Sequence, residues 1–346
     1  MLKNLNGSME IAEQGIFMAG GRMIQKNDKF DHDCIATSGQ TIRGDHAYVF
    51  YQIPVKHKKY PLIFLHGHNQ SGMSTWGMTP DRRDGFQNIF LKQDFSVYLL
   101  DQPRRGEAGR STESYSIIPE PDEQRMFNTY RLGVWPDYYE NTQYDRREEI
   151  LDQFFRRNTP NTAAFDLEIV SAGVAAAINK VGSSVLITHS QGGGVGWSSV
   201  MKTDCVKGII SYEPGSNFVF PMGEAPNPIT GYNGIDVLCP QEVPKEDFLK
   251  LTKMPVVIYY GDNIPKDPCA DPGMDHWRMR VIMANHFAKA VNSYGGDAQV
   301  VCLPDKGIFG NGHFPFQEKN NIEVANVMMQ FLEEKNLAGE AILMRR

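Results

Sequence analysis

Ser190 stands in the stretch Leu186-Ile187-Thr188-His189-Ser190-Gln191-Gly192-Gly193-Gly194, where an apolar run gives way to glycines. A serine between small residues, after a strand and before a helix, is the pattern of a nucleophile elbow. The small neighbours have a steric reason. The turn is sharp and strained, and bulky flanking side chains would strike the backbone crossing beside it. Such a turn lifts the hydroxyl clear of a sheet and sets it at a helix N-terminus, where the Gln191 amide points at a developing oxyanion. Thr188 occupies the position usually held by the first small residue, which predicts looser packing there. Taken alone, the motif is also compatible with an incidental serine in a glycine-rich turn, so its partners matter.

A serine hydroxyl needs a base near neutral pH. Of nine histidines, His313 in Gly310-Asn311-Gly312-His313-Phe314 follows the last apolar run and precedes the last helical stretch. The surrounding glycines let that loop carry an imidazole over a sheet edge. His189 adjoins the serine, and its side chain is expected to point away from the pocket. His276 and His286 fall in a helical stretch and read as surface or packing residues. His32, His46 and His57 precede the core strands. Two acids compete to orient the base: Glu213, after Gly208–Tyr212, and Asp262, after Pro255–Tyr260. Either gives the chain order serine, acid, histidine. Glu213 is favoured, because a carboxylate at a strand end just before Pro214-Gly215 is poorly explained by solubility.

A second oxyanion donor is expected after Pro61–Leu65, in His66-Gly67-His68-Asn69. Gly67 allows close approach of backbone to substrate, and the amide of His68 is the donor. A metal site on His66 and His68 is the weaker alternative, since no carboxylate or cysteine cluster accompanies them; His66 reads as a brace for the loop. Trp76, Phe218 and Phe314 are candidate apolar substrate contacts, with core packing as the competing reading.

These residues need a scaffold. Pro61–Leu65, Phe95–Leu100, Ser184–Thr188, Gly208–Tyr212, Pro255–Tyr260 and Ala298–Leu303 are short apolar runs ending in polar or glycine-rich residues, as in central strands of a covered parallel sheet. Gly15–Gln25 and His46–Pro54 alternate like edge strands. Thr162–Val181, Asp275–Tyr294 and Asn320–Lys335 have helical spacing. The alternation predicts an α/β, doubly wound, mostly parallel sheet. Residues 1–103 and 162–346 form its core. Residues 104–161, with a helix over Arg146–Arg157, read as a cap or lid insertion, and 217–249 as a smaller one, because long loops in compact domains are usually functional. Tyr130, Trp135, Tyr138 and Tyr139 then pack the cap on the core.

The 346 residues carry a formal charge of −6, with 41% hydrophobic and 22% charged residues. This excludes the basic footprint of a nucleic-acid binder. No apolar run reaches membrane-spanning length, so neither nucleic acid nor membrane is expected as a partner. The five cysteines (Cys34, Cys205, Cys239, Cys269, Cys302) form no CxxC pair and read as free thiols, a Cys239–Cys269 bridge being the alternative. The opening stretch lacks a basic segment followed by an apolar core. A cytoplasmic location is expected, or a periplasmic or secreted one if a leader has been removed.

Together these residues resemble the bacterial carboxylesterase branch of the α/β-hydrolases. The likeness rests on His66-Gly67, Ser71-Gly72, Trp76-Gly77-Met78-Thr79-Pro80-Asp81-Arg82-Arg83-Asp84-Gly85, Asp101-Gln102 leading to Arg105-Gly106, His189-Ser190-Gln191-Gly192, Glu213-Pro214, Gly312-His313 and Asn320-Asn321. The resemblance implies a Ser190–Glu213–His313 triad, an acid after the sixth strand, a capped site and a homodimer. At His68-Asn69 the chain departs from the paired cysteines that form a disulfide in that branch's type member. The expectation is a serine esterase or lactonase acting on a small-molecule ester, with no metal and no cofactor. An acyltransferase or amidase with the same triad, and a non-catalytic binder on the same scaffold, are the alternatives.

Overall fold

Leu62-Ile63-Phe64-Leu65 is apolar at every position, and every one of its side chains is buried. Successive strand residues face opposite sides of a sheet. Leu62 and Phe64 accordingly join one core cluster while Ile63 and Leu65 join another. A strand apolar on both faces requires helices on both, which is the logic of the whole molecule. The computed structural model describes residues 1–3, 5–33 and 38–343; Cys34 lies outside them.

Eight strands make the central sheet: β1 Ile11–Ala19, β2 Ala47–Pro54, β3 Leu62–Leu65, β4 Val97–Asp101, β5 Ser184–His189, β6 Val206–Tyr212, β7 Pro255–Tyr260 and β8 Asp297–Cys302. Their spatial order is β1-β2-β4-β3-β5-β6-β7-β8. Strand β2 pairs antiparallel with both β1 and β4, and the remaining pairs are parallel. Gly15–Gln25 is not one strand: the chain turns at Gly20-Gly21, and Arg22–Gln25 pairs instead with Thr41–Gly44.

The helices are α1 Gly72–Trp76, α2 Phe86–Leu91, α3 Glu123–Thr129, α4 Glu148–Phe155, α5 Leu167–Val181, α6 Gln191–Val200, α7 Lys245–Phe248, α8 Pro272–Ser293 and α9 Asn321–Glu334. Residues of α2 and α9 cover one sheet face, and residues of α5, α6 and α8 the other. Helix α5 starts later than its alanine-rich pattern suggests, because the Asp166 side chain caps it by accepting from the amides of Glu168 and Ile169.

The stretch 104–161 contributes α3 and α4, and 217–249 contributes two short strand pairs and α7. Phe218, Val219 and Phe220 of the latter are buried in the α5–α6–α8 core. Among the described residues Cys205, Cys239, Cys269 and Cys302 are free thiols, so the Cys239–Cys269 bridge is not formed. No helix of the described residues is long and apolar enough to cross a membrane.

Candidate active site

The sheet presents its strand C-termini along one edge, where ligands gather in open α/β sheets. Strand β5 ends at His189, and Ser190 follows at φ 54°, ψ −123°, a conformation costly for any residue with a Cβ. Helix α6 begins at the next residue. The space that a glycine at 188 would free is supplied from elsewhere. Thr188 is fully buried, and a Cβ on Gly196 would lie 2.8 Å from its Cγ2. The packing is therefore tight, not loose: a glycine one helical turn into α6 accommodates the threonine, whose hydroxyl donates to Ser211 Oγ at 2.7 Å.

Glu213 leaves the end of β6, also at positive φ (51°). Its carboxylate is wholly buried. Oε2 lies 3.2 Å from Nδ1 of His313. Arg131 donates to both oxygens, Nη2 to Oε1 at 2.7 Å and Nη1 to Oε2 at 3.0 Å, and the Gly261 amide donates to Oε1 at 2.5 Å. Asp262 is spent differently. Its Oδ2 accepts from Asn141 Nδ2 at 3.0 Å and from the Gly310 amide at 2.8 Å, which ties the insertion to the histidine loop.

His313 is buried, and burial together with the Arg131 and Arg280 guanidinium groups holds its pKa well below the ordinary imidazole value. The ring is therefore neutral near neutral pH. With Nδ1–H donating to Glu213, Nε2 is an acceptor. Ser190, Gln191 and His313 line one cavity of about 240 Å³, together with His68, Met126, Thr129, Tyr130, Gly215, Ser216, His276 and Trp277. No hydrogen bond joins Ser190 Oγ to His313 among the described residues. In resting hydrolases that contact is often long, and it tightens with substrate.

His68 and Gln191 line the serine's cavity, and the backbone amide of each is held by the carbonyl before it. In a trans peptide the C=O of one residue and the N–H of the next point in opposite directions. Pinning a carbonyl therefore aims the following amide. The Gly67 carbonyl accepts from His66 Nδ1 at 2.9 Å and from buried Arg105 at 2.6 Å, which fixes the His68 N–H. The Ser190 carbonyl accepts from the amides of Gly193 at 2.9 Å and Gly215 at 3.3 Å, which fixes the Gln191 N–H. Gly67 is required here: a Cβ would come within 2.7 Å of Ser190 Cβ. His66 is not free for a metal. Its Nε2 accepts the Gln102 amide at 3.1 Å, and burial lowers its pKa to about 3.

The other sequence expectations are sorted by the same geometry. His189 is buried outside the cavity, its Nε2 on the His313 carbonyl at 2.8 Å and its Nδ1 on Gln70 Oε1 at 3.0 Å. His286 is exposed, but His276, read from the sequence as a surface or packing residue, lines the cavity. Trp76, Phe218 and Phe314 do not line it. Trp76 packs on Phe316 at 4.2 Å, Phe218 on Phe287 at 6.2 Å, and Phe314 on Tyr130 and Phe154 at 5.0 Å; they build the core beneath. The cavity's aromatic residues are Tyr130, from the insertion, and Trp277, from α8.

Sequence reasoning also missed Arg131 and Glu318. The buried Glu318 carboxylate accepts from the Gly312 amide at 2.9 Å and from Asn311 Nδ2 at 2.8 Å, bracing the histidine loop. Arg83, in the unusual Thr-Pro-Asp-Arg-Arg-Asp-Gly stretch, donates to Asn321 Oδ1 at 2.6 Å and to the carbonyls of Gln317, Glu318 and Lys319. That stretch thus anchors the brace.

The eight-stranded order, the elbow at the end of β5 and helices on both sheet faces decide the fold. This chain has the α/β-hydrolase fold. It is similar over 95% of its length to 98% of a solved bacterial esterase, at 26% identity and a TM-score of 0.75. In sequence it is 27% identical, over 80% of its length and 82% of the other protein, to a probable secreted lipase, phiG, of Fungal sp. (strain ATCC 74256). The sequence matches no family model. The chain is thus esterase- and lipase-like in fold and sequence.

Proposed function

We propose that this protein cleaves a small carboxylic ester or lactone through an acyl-enzyme on Ser190. The observation that carries the reading is the Glu213–His313 pair opening into the same cavity as a serine held at positive φ. In the proposed reaction Nε2 of His313 takes the Ser190 proton as the hydroxyl oxygen attacks the carbonyl carbon. Glu213 holds the imidazole tautomer and stabilises its cationic form. The amides of His68 and Gln191 receive the oxyanion, each contributing about 3 kcal/mol in comparable sites. The imidazolium returns its proton to the leaving alkoxide. Water, deprotonated by the same ring, then releases the acid and frees Ser190. None of these steps calls for a metal or an organic cofactor. Residues 104–161 act as a cap on the core formed by 1–103 and 162–346, supplying Met126, Thr129 and Tyr130 to the cavity.

An acyltransferase or amidase would use the same groups, and a non-catalytic binder would not need the pinned amides. The test is hydrolysis of a panel of p-nitrophenyl esters and lactones by the native protein and by Ser190→Ala. The reading expects turnover that falls by at least about a thousandfold in the variant. Undiminished hydrolysis by a folded Ser190→Ala protein contradicts it.

A further inference from the structure

Helix α3 ends at Thr129, and the three residues from there onward each hold a different part of the serine site. The Thr129 carbonyl accepts from Trp277 Nε1 at 2.6 Å, and the Trp277 ring packs on the His313 imidazole with centroids 4.3 Å apart. The Tyr130 carbonyl accepts the His313 amide at 2.9 Å, and its ring stacks on the imidazole at 5.2 Å and 16°. Arg131, fully buried, forks onto both oxygens of Glu213, while its Nε donates to the Asp262 carbonyl at 2.9 Å.

We propose that Arg131 is a positioning residue of the triad and that Thr129–Arg131 is a fixed wall of the active site, completing the triad from within the insertion instead of moving with a lid. The proposal rests on the serine-hydrolase reading above.

Two physical effects support it. The first is orientation. A carboxylate with one partner swivels, but a guanidinium fork binds both oxygens in one plane. With Oε1 also held by the Gly261 amide, Oε2 is left aimed at Nδ1 of His313. A lysine offers the charge without the plane. The second effect is charge balance. Glu213 beside Arg131 is a net neutral pair, so the guanidinium offsets part of the carboxylate's pull on the imidazole toward the protonated form. The other charged or titratable groups around His313 include Arg280, which disfavours the imidazolium; Tyr130, whose phenol burial keeps protonated; His276 and His189, whose own pKa values burial lowers; and Glu318, which acts through the Gly312 amide. Without the Arg131 cation, an unbalanced carboxylate 3.2 Å from Nδ1 would make His313 more basic and less well oriented.

The experiment is the pH dependence of the rate at which a fluorophosphonate labels Ser190 in the full chain, for the native protein, Arg131→Met and Arg131→Lys, with circular dichroism as the folding control. This readout needs no knowledge of the substrate. Arg131→Met is expected to label at least about tenfold more slowly, with the midpoint of its rate profile raised by about one pH unit or more. Arg131→Lys is expected to restore the midpoint but only part of the rate. If Arg131→Met does not fold, Arg131→Lys carries the test, and a native rate in that variant overturns the fork. A native rate and midpoint in Arg131→Met overturn the proposal, as does a slower rate with an unmoved midpoint, the sign of a purely structural role. Failure of the native protein to label at all instead overturns the serine-hydrolase reading itself.

Discussion

Nδ1 of His313 lies 3.2 Å from Oε2 of Glu213, at the end of β6, and not beside Asp262, one strand further on. Both oxygens of Asp262 are engaged by loop donors: Oδ2 by Asn141 and Gly310, Oδ1 by the Asn263 amide. Glu213→Gln should therefore lower kcat for ester hydrolysis by about 10³- to 10⁴-fold, the loss expected when the orienting carboxylate is neutralised. Asp262→Asn should cost less than about tenfold, through the loops alone. Steady-state kinetics of the two variants decide it; the reverse order would assign the acid to Asp262.

The cavity holds about 240 Å³, below the usual range of about 300–1,000 Å³ for sites that enclose drug-sized ligands. Short acyl chains should fit and long ones should not. Acetate and butyrate p-nitrophenyl esters should exceed the decanoate in kcat/KM by at least about tenfold. A preference for the long chain would require a cavity that opens well beyond its present walls.

Gly196 tests the reading of the elbow. A methyl there meets Thr188 Cγ2 at 2.8 Å, and overpacking of this kind costs about 1–3 kcal/mol. Urea unfolding should show Gly196→Ala to be destabilised by that amount. Adding Thr188→Ser, which removes the methyl but keeps the hydroxyl bonded to Ser211, should recover most of the loss. Two additive losses would mean that the contact does not limit the packing.

Glu318 should make stability depend on pH. Burial raises its carboxyl from 4.5 to about 7. Between those values the folded protein holds a proton that the unfolded chain has released. Its contribution is therefore complete below about 4.5, declines as pH rises and is lost above about 7, a total of about 3 kcal/mol. Glu318→Gln should flatten the dependence of unfolding free energy on pH between 5 and 8. Parallel curves for the two proteins would contradict the assignment.

Much of this site is legible in the chain because its strongest signals are local. Ser190, Glu213 and His313 each follow an apolar strand and sit within two residues of glycine or proline, so sequence neighbours alone mark them as strand-end loop residues. The His66-Gly67 turn announces itself in the same way. Arg131 carries no such mark: its partners are Glu213 and Asp262, 82 and 131 residues away, and a lone arginine in a polar insertion looks like solvated surface. Trp277 and His276 sit on a helix whose pattern shows burial but not what is buried against it. Trp76, Phe218 and Phe314 show the converse. Their apolar character is equally suited to a core or a cavity wall, and only tertiary packing sends them to the core. Thr188 was informative as a departure, but the glycine that accommodates it lies eight positions later on α6.

The most direct test of the account is the site of covalent labelling. The native protein, treated with a fluorophosphonate, digested and examined by peptide mass spectrometry, should carry one adduct on Ser190, and Ser190→Ala should carry none. An adduct on another residue, or an unlabelled native protein, would contradict the assignment of Ser190 as the nucleophile.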